Sequence, residues 1–244
     1  GKISYYAREF LSLCRSLETH SPGLRMSVIT DAPDRVKSMG CSPKVLDRII
    51  VNNISLKAFA WGEKPAAMLQ SPYLQTLFLD TDTKVCGDLA PLFDFLEHYD
   101  VCMAQEPPTL TKIKRATERN EASPLAEFYH MNSGVILFRN TGTVRSMFRI
   151  VQQIQRAGGD QHYLRYFDEG WKVGVPGRTD SVRVLRLPPE YNFRLHGDMA
   201  PQVLTGVVAI WHGKNRLQET HHVSCERINS QQSLRMWSPA LGFI

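Results

Sequence analysis

The stretch Leu77-Phe78-Leu79-Asp80-Thr81-Asp82-Thr83-Lys84-Val85 decides the reading of this chain. An apolar run ends abruptly in two aspartates one residue apart. Side chains two apart share a face of a strand, and a buried strand cannot carry two ionised carboxylates into its core without partners. The chain therefore leaves the strand at Asp80 and turns. In an open α/β sheet that puts both carboxylates in the crevice at the strand's carboxyl end, where ligands bind. Two hard oxygen ligands side by side suit a divalent cation. The ordinary alternative is that Asp80 and Asp82 merely cap a turn.

Upstream of this stretch, Tyr6, Phe10, Leu13, Cys14 and Leu17 recur at helical spacing and predict a helix from Ser4 to Thr19. A strand follows from Leu24 to Ile29, then a short helix from Pro33 to Met39, a short buried strand from Arg48 to Val51, and a helix from Glu63 to Leu69 with Pro65 in its first turn. Downstream, Asp88 opens a helix whose apolar face is Leu89, Leu92, Phe93 and Leu96. Asp100 to Ala104, His130 to Phe138 and Val182 to Leu187 read as strands, and Thr143 to Ala157 as a helix. Asp160 stands at the N-cap of another helix, reaching Phe167. Val207 to Trp211 is the last apolar run, and it ends at His212; the tail over 213–244 is weakly patterned. Gln105 to Leu125 is a long polar stretch of the kind that is either functional or disordered. Strands alternating with helices predict one α/β domain over 1–244, with a mainly parallel mixed sheet flanked by helices. The chain opens on a helix where such sheets open on a strand, so a first strand is expected upstream of Gly1.

The totals narrow the function. Lysine plus arginine exceed aspartate plus glutamate by 29 − 24 = 5, a mild excess that suits an anionic ligand such as a phosphate. It is too small and too scattered for nucleic acid. The densest basic patch, Lys112, Lys114, Arg115 and Arg119, is broken by Glu118 and reads as a solvated loop. No apolar run approaches the ~20 residues that span a bilayer. Cys14, Cys41, Cys86, Cys102 and Cys225 form an odd, dispersed set without a CxxC. That speaks against a zinc ribbon or a disulfide framework and for a reducing compartment.

Haloacid-dehalogenase-like phosphatases also place Asp-x-Asp after an apolar strand, near the amino terminus, with Thr or Val four residues after the first Asp. Here that position is Lys84, the motif lies a third of the way along, and no late acidic pair completes such a site. Five other patterns occur together in one order: the apolar strand with Asp-x-Asp and then Asp-Leu-x-x-Leu-Phe over Leu77 to Phe93; Asn-Ser-Gly-Val from Asn132; Gly-Gly-Asp-Gln over Gly158 to Gln161; Leu187-Pro188 followed by Tyr191-Asn192; and an apolar strand ending in His212-Gly213. With them the chain resembles the glycosyltransferase family 8 and glycogenin-like enzymes from about Tyr6 to His212.

The resemblance implies a GT-A (Rossmann-like) fold and a set of roles. Asp80, Asp82 and His212 take the places of the three metal ligands, for Mn²⁺ or Mg²⁺; His221-His222 is the fallback pair. Tyr6 takes the place of an aromatic stacked on uracil, with Tyr5 as a near alternative and a core aromatic as the plain reading. Lys64 takes the place of the lysine that reaches donor phosphates and sugar, and Asn132 and Asp160 those of residues bonding sugar hydroxyls. Gln161 matches the residue near the anomeric carbon; Ser133 and Asn192 are further candidates. The chain departs from the pattern after His212, where Gly-Lys-Asn-Arg replaces a spaced Gly followed by Lys-Pro-Trp, so Lys214 stands in for the phosphate-binding lysine.

The activity implied by the resemblance is a metal-dependent, retaining transfer of a hexose from a nucleotide diphosphate sugar, a UDP-sugar first, to an acceptor hydroxyl. The partners are the donor and a glycan, protein or small-molecule acceptor. A homo-oligomer is left open, as is an excised luminal domain beside the cytoplasmic location that the cysteines favour. The rival from another class is a non-catalytic carbohydrate- or nucleotide-binding relative.

Overall fold

The apolar stripe of the first helix packs inward along Tyr5–His20 (α1), burying Phe10, Leu13, Cys14 and Leu17. Tyr6 leaves that stripe: it is 72% exposed, so the core-aromatic reading does not hold. The structure, a computed structural model, describes residues 5–52, 64–106, 114, 118, 130–156, 182–194, 202–213, 224–230, 235–238 and 242–243. After α1 come Met26–Thr30 (β1), Pro33–Ser38 (α2), Leu46–Val51 (β2), Lys64–Leu69 (α3), Gln75–Leu79 (β3) and Thr83–Val85 (β4). A 3-10 helix at Ala90–Glu97 leads to Val101–Glu106 (β5), His130–Arg139 (β6), Gly142–Arg156 (α4) and Val184–Leu187 (β7). The described chain closes with Phe193–Arg194 (β8), Gln202–Leu204 (β9), Ile210–His212 (β10), Cys225–Asn229 (α5), Arg235–Ser238 (β11) and Gly242–Phe243 (β12). The tail expected to be weakly patterned thus carries a helix and two strands.

Four strands in the order β3-β6-β5-β7 form the central sheet. Successive residues bury on opposite faces, the period-2 signature of a strand. Val101 and Met103 with Ile136 and Phe138 pack on one side with Val144, Met147 and Phe148 of α4. Cys102 and Ala104 with Val135 and Leu137 pack on the other, against Leu13 and Leu17 of α1 and Leu89, Leu92 and Leu96 beside and in the 3-10 helix. Burial on both faces explains why these strands read as unbroken apolar runs. The sheet is mixed, as expected: β6 runs antiparallel to both β3 and β5, while β5 and β7 are parallel. β1 and β2 form a separate parallel pair. The expectation of a buried second strand is corrected too: Asp47, Arg48 and Val51 of β2 are exposed, as charges on an edge strand are.

Among the described residues β1 pairs only with β2, and β3 only with β6. The two free edges face each other across a cleft of about 620 Å³, walled by Met26, Val28, Leu77, Leu79, Phe10 and Leu13. The cleft reaches Lys64, Asp80 and Thr81 at one end.

A third cluster, Cys86, Phe193, Leu204, Val208, Trp211, Cys225 and Ile228, supports β10 from beneath. Within it Cys86 and Cys225 form a disulfide across 139 residues of sequence. The dispersed cysteines gave no hint of this pairing, and it goes against the expectation drawn from them of a reducing compartment without a disulfide framework. Cys225→Ser is expected to cost about 2–5 kcal/mol, read as a lower midpoint of guanidinium unfolding without reductant. An unchanged midpoint would show that the bridge is not formed in solution.

Candidate metal centre

The predicted departure from the strand at Asp80 is built as a tight turn. β3 ends at Leu79 and β4 starts at Thr83; Thr83 donates to the Asp80 carbonyl from both its N–H (3.1 Å) and its hydroxyl (2.7 Å). α1 braces the far side of the turn, because the Val85 N–H donates to Ser16 Oγ at 3.0 Å. The antiparallel β3–β6 ladder then brings the Asn-Ser-Gly segment alongside: Leu79 pairs with Val135, and Asp80 N–H donates to the Gly134 carbonyl at 2.9 Å. β10 runs antiparallel to β4, setting His212 opposite Thr83, with Gly213 N–H on the Asp82 carbonyl at 3.0 Å. β8 lies parallel on the other side of β10, so Arg194 pairs with His212.

These ladders put one ligand atom each from Asp80, Asp82 and His212 within 4.8 Å of one another. His212 Nε2 lies 3.3 Å from Asp82 Oδ1 and 3.7 Å from Asp80 Oδ2. The other ring nitrogen is committed: Nδ1 donates to Asn192 Oδ1 at 2.7 Å. Asn192 is fully buried, a supporting place that fixes the imidazole tautomer and turns Nε2 toward the carboxylates. Gly134 makes room for the ring. A Cβ at Gly134 would overlap His212 Cε1 and come within 2.8 Å of both His212 Nδ1 and Asn132 Oδ1. Asn132 itself is buried and accepts the Gly134 N–H at 2.8 Å.

Two cations border the carboxylates. Lys64 Nζ, at the first residue of α3, donates to Asp80 Oδ2 at 2.6 Å and to Ser133 Oγ at 3.2 Å. Arg194 Nη1 stands 3.2 Å from Nδ1 and 3.4 Å from Nε2 of His212. Burial of Asp82 works against its ionisation, yet its hydrogen bond and electrostatic attraction to His212, with the charge of Arg194, outweigh that and hold the carboxyl below its ordinary range. Two carboxylates and one imidazole make a donor set of hard oxygens and a borderline nitrogen, which fits Mn²⁺ or Mg²⁺ with places left for other oxygen ligands. Burial pushes the Cys102 thiol up to about 12 and raises those of Cys14 and Cys41 as well.

Of the residues singled out in the sequence, Lys64, Asp80, Asp82, Asn132, Ser133, Asn192 and His212 thus meet in one cluster. Tyr6 sits exposed on the first turn of α1. Asp160, Gln161, Lys214 and His221-His222 lie outside the described residues, as does most of Gln105 to Leu125. Within the basic patch, Lys114 and Glu118 form an exposed pair at 3.9 Å, one helical turn apart. Neither Arg194 nor Gly134 stands out in the sequence as a site residue. The signal for Arg194 is its spacing: Asn192-x-Arg194 places two side chains on one face of an extended segment.

No family model matches the chain, and no curated protein matches its sequence. Solved structures do match it. Mouse xyloside xylosyltransferase 1 superposes with a TM-score of 0.58 at 13% identity, covering 88% of this chain and 94% of that one. The glycosyltransferase GlyE of Streptococcus pneumoniae gives 0.54 at 17% identity over 91% of this chain and 59% of that one. The galactosyltransferase LgtC, solved with donor and acceptor sugar analogues, gives 0.50 at 18% identity over 91% and 90%. At such identities the likeness speaks for architecture, and the architecture of this chain is the GT-A fold of its glycosyltransferase neighbours.

Proposed function

We propose that residues 1–244 form one catalytic domain, a metal-dependent retaining glycosyltransferase. It moves a hexose from a UDP-sugar to an acceptor hydroxyl on a glycan, protein or small molecule. The observation that carries this reading is the convergence of Asp80, Asp82 and His212 at the carboxyl end of β3. Those three residues would hold Mn²⁺ or Mg²⁺, which supplies charge neutralisation for the departing UDP.

The charges of the site support a diphosphate ligand. Among the described residues two carboxylates are matched by Lys64 and Arg194, so a bound divalent cation would leave that cluster positive by two. A diphosphate brings the compensating charge. Lys64 serves as a point charge to a phosphate oxygen. Ser133, which already accepts from Lys64, keeps that ammonium at the mouth of the cleft. Tyr6, exposed at the head of α1, stacks on the uracil. Asn132 has its Oδ1 engaged by Gly134 and offers its amide hydrogens to a sugar hydroxyl. By resemblance Asp160 holds further sugar hydroxyls, Gln161 lies near the anomeric carbon and Lys214 reaches phosphate. Gln161 is a poor nucleophile, so retention proceeds by same-face attack in which the leaving phosphate accepts the acceptor's proton. The Cys86–Cys225 bridge favours an oxidising compartment over the cytoplasm; among the described residues no helix is long and apolar enough to cross a membrane.

Calorimetry tests the reading. UDP is expected to bind with Mn²⁺ present and not without it, and one member of a UDP-sugar panel should be hydrolysed slowly in the absence of acceptor. In the same assay Asn192→Ala should weaken Mn²⁺ binding about 10–100-fold, as lost support for a ligating histidine does. Tight UDP binding without hydrolysis of any donor would reassign the chain as a binding protein. Release of inorganic phosphate from simple phosphomonoesters would revive the phosphatase reading.

A further inference from the structure

Arg194 is held in place with more care than a surface arginine requires. Gln202 is buried and commits both ends of its amide to the Arg194 main chain, Oε1 accepting its N–H at 3.1 Å and Nε2 donating to its carbonyl. Strand pairing with His212 fixes the same residue from the other side. The guanidinium then lies almost equidistant from the two ring nitrogens of His212, at 3.2 and 3.4 Å, off the lone-pair direction of each. Nε2 therefore remains turned to Asp80 and Asp82.

For a site meant to hold a cation alone this is a poor arrangement. A fixed positive charge against a ligating imidazole repels the ion that the imidazole is to bind, and in a half-buried site that repulsion is weakly screened. It becomes favourable once an anion lies between the two. A guanidinium offers a planar fork of donors that matches two oxygens of a phosphate.

We infer that Arg194 is the anion-recognition residue of this centre, taking oxygens of the ligand's diphosphate, so that metal and diphosphate bind as an interdependent pair. The inference rests on the metal–diphosphate reading of the site and adds to it a residue and a sign. Arg194 opposes the bare cation and favours the cation–diphosphate complex.

Arg194→Met keeps the length of the stem and removes the charge. Calorimetry is run on wild type and variant with MnCl₂ alone and with UDP at saturating MnCl₂. The variant is expected to bind Mn²⁺ alone several-fold more tightly, and UDP with Mn²⁺ about 10–100-fold more weakly, the loss of one charge-assisted hydrogen bond. A role confined to bracing His212 would weaken both bindings together, and that result, or unchanged UDP affinity, overturns the inference. Near-UV circular dichroism checks that the variant is folded. If it is not, Arg194→Lys takes its place: it should leave Mn²⁺ binding near wild type and weaken UDP binding by losing the fork, and equal UDP affinity would overturn the inference. A wild-type protein that binds neither Mn²⁺ nor UDP removes the metal–diphosphate reading itself, whereas wild-type binding with parallel losses in the variant removes only the role of Arg194.

Discussion

Asp82→Asn is expected to abolish metal-dependent UDP release, by at least about 10³-fold, while leaving the protein folded. The carboxylate is one of two on a site whose remaining ligand is a single imidazole nitrogen. Asparagine keeps the size and one acceptor oxygen, so the 3.3 Å contact with His212 Nε2 survives and the turn is unchanged. The main-chain bond that ties the segment to β10, Gly213 N–H to Asp82 carbonyl, does not involve the side chain. What is lost is the negative charge that draws in a divalent ion. Lewis-acid stabilisation of a leaving group is worth several kcal/mol, and each 1.36 kcal/mol is a factor of ten in rate. The measurement is UDP release at several Mn²⁺ concentrations, with unfolding followed in parallel. Unchanged turnover would remove Asp82 from the metal site. Recovery at high Mn²⁺ would show weakened affinity instead of lost chemistry.

Gly134→Ala should have the opposite profile, losing stability and metal binding together. Gly134 continues the β3–β6 ladder by accepting the Asp80 N–H, so its backbone cannot retreat without parting the two strands. Its added methyl would overlap His212 Cε1 and crowd Nδ1 and the Asn132 oxygen at 2.8 Å. His212 is buried and held by Asn192, so the ring has little room to yield. Overpacking of this kind costs about 1–3 kcal/mol. Any relief that moves the ring also carries Nε2 away from Asp80 and Asp82. A guanidinium titration and a Mn²⁺ titration on the same preparation check both halves. Wild-type Mn²⁺ affinity in this variant would mean that His212 reaches the metal from another direction, or does not reach it.

The contrast between Asp82 and Gly134 mirrors what is legible in the sequence. Two aspartates at the end of an apolar run announce themselves, because an ionised carboxylate has no place inside a strand. The turn at Asp80, the helices before and after it and the long central strands follow from the local pattern of apolar and charged residues. Gly134 belongs to a legible motif, but its steric role needs the position of a ring 78 residues away in sequence, 212 − 134. Strands as short as β4 and β8 carry no pattern of their own. Their pairing decides that His212 meets Asp82 and that Arg194 meets His212. The bond between Cys86 and Cys225 is hidden for the same reason: spacing does not choose among five dispersed cysteines. Asn192 reads as a ligand candidate because polarity in a motif says nothing about burial.

The β4–β10–β8 ladder has a consequence for the order in which this protein assembles. It joins Asp82 to His212 across 130 residues, 212 − 82, and the Asp80–Gly134 and Lys64–Ser133 bonds of the centre also link distant segments. Loop closure on that scale is completed late, after the central sheet has given the ends somewhere to dock. A partly folded chain therefore has the acidic turn without the imidazole, and a metal grips it only weakly. The full ligand set exists only when β10 has settled on β4. A divalent ion held by that set would favour the finished fold over its precursors, the more so the higher its concentration. Such an ion would act on the chain's maturation as a ligand that selects completed molecules.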